Sequence, residues 1–256
     1  MRVTGKLITG GLGAAALLLA VAAPASAAPS PAPISVPGWA GYFTNDVATQ
    51  AATTFVVPKI NCSANPAGSF AGQALGVEFL NNFNGTTDPG HGPSSVVRAY
   101  CIGSTANYDA EFYFPNAAGT DELPVSAGVR VRPGDLVRVS VQVTASQSVD
   151  TLNDLSRPGG RARQTGLGAT NAAPNVGLTA LAGGAGGPTA IGSPAASSPP
   201  APSTPVFFFA SRIGHQPMAS AAGLGAQEWT NPSEASEVWA APSGLTGSSF
   251  TVTVTP

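Results

Sequence analysis

The sequence predicts an all-β chain folded as an antiparallel β-sandwich. Three observations carry that expectation. Apolar and polar residues alternate in many short segments. Gly and Pro, 31 and 24 of 256 residues, punctuate the gaps between them. Past the N-terminus, no stretch longer than a few residues repeats at the helical period.

Taken in order, the chain opens with a segment outside that fold. Arg2 and Lys6 precede an apolar run over 8–23, which ends at Ala25-Ser26-Ala27. A basic start, a short apolar middle and a small-x-small exit make residues 1–27 a signal peptide, cut after Ala27. The run is too short and too alanine-rich to be a good membrane span, and no second one follows. A secreted, extracellular chain with no membrane contact after signal removal is expected. Residues 28–37 read as a loose Pro/Ala/Ser leader.

Residues 38–256 read as the sandwich domain. GWAGYF (38–43) and TTFVVP (53–58) are strand candidates around a polar turn at Thr44-Asn45-Asp46. LGVEFL (75–80) precedes a turn-rich loop, then SSVVRAYC (94–101) and YDAEFYFP (108–115) alternate again. In GVRVRPGDLVRVSVQVTA (128–145), valines alternate with Arg130, Arg132 and Arg138 on either side of Pro133-Gly134-Asp135, which predicts a hairpin with one wet face. A low-complexity insertion is expected at about 182–205, followed by the apolar strand VFFFA (206–210). SSFTVTVTP closes the chain, with Phe250, Val252 and Val254 facing inward.

Only 9% of residues are charged. Removal of Arg2 and Lys6 leaves nine cations against thirteen acids, with no basic run, which argues against nucleic acid as a partner. A monomer is expected. Cys62 and Cys101 both lie in the exported part, and an even count in an oxidising compartment predicts one disulfide. It would close a loop of about 40 residues, contributing about 4 kcal/mol in the chain-entropy picture. Two cysteines are too few for structural zinc, His91 and His215 are far apart, and Asp88-Pro-Gly-His91 reads as a turn. No metal and no cofactor are expected.

Nucleophile motifs are missing. There is no G-x-S-x-G and no S-x-x-K, and a Ser/His/Asp triad would have to recruit a histidine from a turn-like segment. Carboxylates remain. Glu78 and Glu111 each interrupt an apolar strand, and Asp109 shares the second one. Two such groups facing one groove can share a proton.

Several segments together resemble the glutamic peptidases, or eqolisins: GWAGY followed by TTFVVPKINC, LGVEFL, YDAEFYFP, VRPGDLVRVSV, FFFASRIGHQPMASA and APSGLTGSSFTVT. The resemblance spans residues 38–256 apart from about 146–205. It implies a concanavalin-A-like sandwich whose curved sheet holds a substrate groove. It also implies an acid peptidase in which a glutamate activates water and a glutamine amide stabilises the tetrahedral intermediate, with no metal. The family glutamine lies in the strand occupied here by SSVVRAYC, and Arg98 stands in its place. A guanidinium is larger and permanently charged, so the chemistry is not preserved by default. The family glutamate sits in an A-E-W-I segment within the interval matching 146–205, yet no acid occurs from Ser156 through Gln227. Glu228, in AQEW, lies on the wrong side of that order; either it matches by coincidence or the C-terminal alignment is shifted.

The resulting expectation is a non-catalytic relative that binds a peptide or glycan in a groove lined by Trp39 and Arg98. Trp39 reads equally well as a core or edge residue. Arg98 is expected to pair with Glu78 or Glu111 rather than stand alone on an apolar sheet. Two other readings stay open. One is an active acid endopeptidase with Glu78, Glu111 or Glu228 as base and Gln73 or Gln50 as amide. The other is a lectin-like carbohydrate-binding module.

Overall fold

A computed structural model describes residues 30–36, 38–44, 48–65, 70–81, 90–115, 122–144, 147–167, 178–186 and 200–255. The expected signal peptide, Asn45, Asp46, Asp88 and positions 187–199 of the expected insertion lie outside them.

Among the described residues the strands are β1 (Pro33–Val36), β2 (Gly41–Thr44), β3 (Gln50–Val56), β4 (Phe70–Asn81), β5 (Gly90–Ile102), β6 (Thr105–Pro115), β7 (Glu122–Ser126) and β8 (Leu136–Val143). Then follow β9 (Gln147–Asp154), β10 (Arg161–Leu167), β11 (Leu178–Gly186), β12 (Val206–Ile213), β13 (Gln216–Pro217), β14 (Leu224–Asn231), β15 (Glu234–Pro242) and β16 (Phe250–Val254). One 3-10 turn, Met218–Ser220, precedes β14.

Hydrogen bonds join them in the order β10-β9-β8-β3-β12-β16-β15-β14-β2-β11-β4-β5-β6-β7, with β13 on β12 and β1 on β14. The β1–β14 pair is parallel; the other ladders are antiparallel. This long ribbon doubles back on itself. β8 packs on β4 and β5, β9 on β5 and β6, β10 on β6, and β11 on β3 and β12. The result is the expected β-sandwich.

Period-2 sequence produces the core. On β8, Val137, Val139, Val141 and Val143 are buried while Arg138 is exposed. On β16, Phe250, Val252 and Val254 point inward, as expected. Phe208 of β12 stacks on Phe250 with centroids 5.0 Å apart and tilts against Phe55 of β3 at 5.4 Å. Each such ring contributes roughly 2–3 kcal/mol through burial. Cys62 and Cys101 form the expected disulfide, with Cα atoms 5.5 Å apart. It is buried in a small satellite core with Ile60, Ala99 and Ala201.

Three expectations need correction. Residues 127–132 form no strand, so the 128–145 hairpin does not exist. The Pro133-Gly134 turn is claimed instead by the end of β3: Gly134 N donates to Val57 O at 2.9 Å, and Val57 N to Asp135 O at 2.9 Å. β8 then pairs with β3 and β9. The leader is not loose throughout, because Pro33–Val36 supplies β1. The low-complexity stretch begins inside a strand, β11, and ends with Ala201 buried against the disulfide cluster.

Candidate functional site

On β4, Leu75, Val77 and Phe79 enter the core, so Ala74, Gly76 and Glu78 lie on the opposite face. The ladders carry that face across six strands. One row runs Gln227–Gly41–Gly183–Gly76–Val96–Glu111. Beside it runs Gly225–Phe43–Leu181–Glu78–Ser94–Tyr113. On the other side, Ala74, Arg98 and Asp109 are in register. Three glycines on adjacent strands, Gly41, Gly183 and Gly76, therefore sit side by side on this face, where the resemblance expects a groove, and their neighbours Phe43, Ser94, Val96 and Gln227 are buried. At Gly76 the glycine is obligatory, since an added Cβ would stand 2.1 Å from the Ser95 carbonyl oxygen.

Arg98 anchors one end. Its Nε donates to Asp109 Oδ1 at 2.7 Å and its Nη2 to Asp109 Oδ2 at 2.6 Å, a fork-on-fork pair. Nη2 also lies 2.6 Å from Glu111 Oε1. Nη1 donates to Tyr113 Oη at 3.3 Å, and Tyr113 Oη donates to Glu111 Oε2 at 2.6 Å. Tyr100 donates to Asp109 Oδ2 at 3.1 Å, with its ring 5.4 Å below the guanidinium. Burial works against the Arg98 charge, but the Asp109 fork and the surrounding negative groups outweigh it and raise the pKa further. Burial, then donation to Glu111, pushes the Tyr113 phenol up as well. Both oxygens of Glu111 are thus engaged. A carboxylate held in this way is poorly placed to take a proton from water.

Glu78, one row away, is different. It is half-buried by surface area while its carboxyl is densely surrounded, and the crowding governs its proton affinity. Burial raises its pKa from 4.5 to about 7. It lacks the companion amide: Gln73 is five positions away on β4, on the core face and fully buried. Gln50 begins β3 in the other layer. β11, the strand beside Glu78 in the 146–205 interval, reads LTALAGGAG and carries no acid.

The other expected residues are spread out. Trp39 is buried just before β2, three strand spacings from β5, or roughly 14 Å. Its Nε1 and the Oε1 of buried Gln227 have no hydrogen-bond partner. Glu228 lies on β14, five spacings from Glu111 on β6, and accepts a 2.8 Å hydrogen bond from Ser35 of β1. The structure brings Arg98 and Glu111 together with Asp109, Tyr100 and Tyr113, and leaves Glu228 far away. Sequence reading missed Tyr113 and Tyr100 as members of the cluster. The signal was present, since Asp109, Glu111 and Tyr113 share one period-2 face. It also missed Asp150 and Asp154, buried on β9.

No protein-family profile matches the chain, and no curated sequence matches it. Solved structures do. A crystal structure of scytalido-glutamic peptidase with a transition-state analogue inhibitor superposes with a TM-score of 0.51 at 13% identity, covering 86% of this chain and 98% of that one. A second, with a peptide-based transition-state analogue, gives 0.52 at 11% identity over the same shares. The chain has a glutamic-peptidase-like fold; at these identities the likeness extends to the fold alone.

Proposed function

We propose that this chain is an exported, non-catalytic protein with a glutamic-peptidase-like fold that holds an extended peptide against the face carrying Gly41, Gly183 and Gly76. The observation that carries the reading is the Arg98 cluster, in which the guanidinium occupies both Asp109 and Glu111 where the family resemblance calls for a neutral amide. The acid-free strand β11 beside Glu78 supports it. Three glycines in register on adjacent strands suit close approach by another backbone. Trp39 N–H and the Gln227 carbonyl are buried without a hydrogen-bond partner near one end of this face, and Arg98 and Glu78 lie toward the other. The disulfide supports export.

The test is casein digestion by the purified chain from about pH 2 to about pH 7, beside binding to an immobilised peptide library. Binding without cleavage is expected; pepstatin-insensitive cleavage overturns the reading. One observation favours a glycan instead. Phe207, 49% exposed, stacks with Phe209 at 5.6 Å on the outer face of β12, a small platform of the kind a sugar ring can cover.

A further inference from the structure

Six of the chain's eleven cations fall between residues 130 and 163, although the whole sequence is net acidic at −2. Four of them, Arg130, Arg132, Arg157 and Arg161, line one open cavity of ≈ 440 Å³. It lies at the seam where residues 127–132 pass the turn joining β9 to β10, and shares no lining residue with the glycine face. The turn is built tightly. Asp154 N donates to Gly160 O at 2.6 Å, and a Cβ on Gly160 would stand 2.7 Å from that of Asp154.

The four arginines are not equivalent. Arg157 is fixed: its Nη2 reaches both oxygens of buried Asp135 at 2.6 Å, and its Nη1 donates to the Arg130 carbonyl at 3.0 Å. That last bond ties the two walls together. The side chains of Arg130, Arg132 and Arg161 are exposed and have no hydrogen-bond or ion-pair partner among the described residues. Asp154 is the one carboxylate in the lining. It is buried, accepts from Ser156 N at 2.9 Å, and lies 3.9 Å from Arg157 Nε. Three guanidiniums that line one cavity with no counter-charge of their own among the described residues repel one another. Each presents a planar fork of donors that matches an oxyanion.

We propose that this cavity is a binding site for a phosphate-type oxyanion carrying two or more negative charges. Three unpaired guanidiniums exceed what a single carboxylate neutralises and match a di- or polyphosphate group. The site is separate from the glycine face and stands whether or not a peptide binds there.

The test uses the full chain and tripolyphosphate as probe, followed by calorimetry or phosphorus NMR at low salt. Saturable binding is expected. The triple variant Arg130→Gln/Arg132→Gln/Arg161→Gln should weaken it by about tenfold or more, and Arg161→Gln alone by roughly threefold. A control removing the same charge elsewhere, Lys59→Gln/Arg138→Gln/Arg212→Gln, should leave binding within about twofold. Equal losses in the two triple variants, or a wild type that binds no tighter than the cavity variant, overturns the site. Citrate binding as tightly as tripolyphosphate overturns the phosphate assignment.

Discussion

Asp150 offers the sharpest quantitative test. It sits on β9 facing the interior, 0% exposed, with the Ser148 side chain as its hydrogen-bonding neighbour. Burial raises its pKa from 3.8 to about 8, with nearby Ser148 offsetting part of the effect. The folded chain therefore keeps this proton where the unfolded chain releases it. The sign follows directly. The contribution is fully present below about pH 4, is lost as pH rises toward about 8, and then stays constant. At about 1.36 kcal/mol per pH unit, the shift from 3.8 to about 8 amounts to on the order of 5 kcal/mol of stability lost between acid and mild alkali. Asp150→Asn keeps the shape and removes the titration. Denaturant unfolding of both proteins at about pH 4, 6 and 8, with the disulfide intact, isolates this residue from the others that titrate. The variant should gain on the wild type by several kcal/mol between the first and last conditions. Any fixed cost of the new amide is the same at every pH and cancels. Stability curves that run parallel across the range would refute the reasoning.

Other perturbations test the glycine face and its supports. Arg98→Gln removes the charge that holds Asp109 and Glu111 together; it should cost about 1–3 kcal/mol in thermal or chemical unfolding and confer no casein cleavage. Reducing the Cys62–Cys101 bond, or replacing both residues by Ser, should lower unfolding free energy by about 3–4 kcal/mol, read from urea curves with and without reductant. Gly76→Ala should destabilise by more than about 1 kcal/mol and weaken peptide capture, because the new methyl meets the Ser95 carbonyl; unchanged unfolding and capture would contradict the close packing of that face.

Much of the sandwich was legible because its strands advertise a face. β8 and β16 alternate valine or phenylalanine with polar residues, and burial follows that pattern residue by residue. Alternation says nothing about partners, which is why 128–132 looked like half a hairpin while the turn's backbone groups went to Val57. The stretch from 147 to 186 stayed hidden for a different reason. β9 reads QSVDTLND, with Ser148, Asp150 and Asp154 at buried positions, so a polarity pattern takes its inner face for a wet one. β11 is mostly Gly and Ala and passes for low complexity. The site was half legible. Arg98 and Glu111 stand out as charges among apolar neighbours, whereas the arginine cavity needed a turn and a crossing segment that only the tertiary fold brings together.

Pro33–Val36 runs alongside Ala226–Trp229, and Ser30 Oγ accepts from Leu245 N at 2.7 Å. A ribosome delivers the first of these segments nearly two hundred residues before the second. β1 therefore cannot meet this partner until the chain has been made through Trp229. The β1–β14 pairing is thus added late, and a cut between β1 and β2 should release that strand from the sandwich.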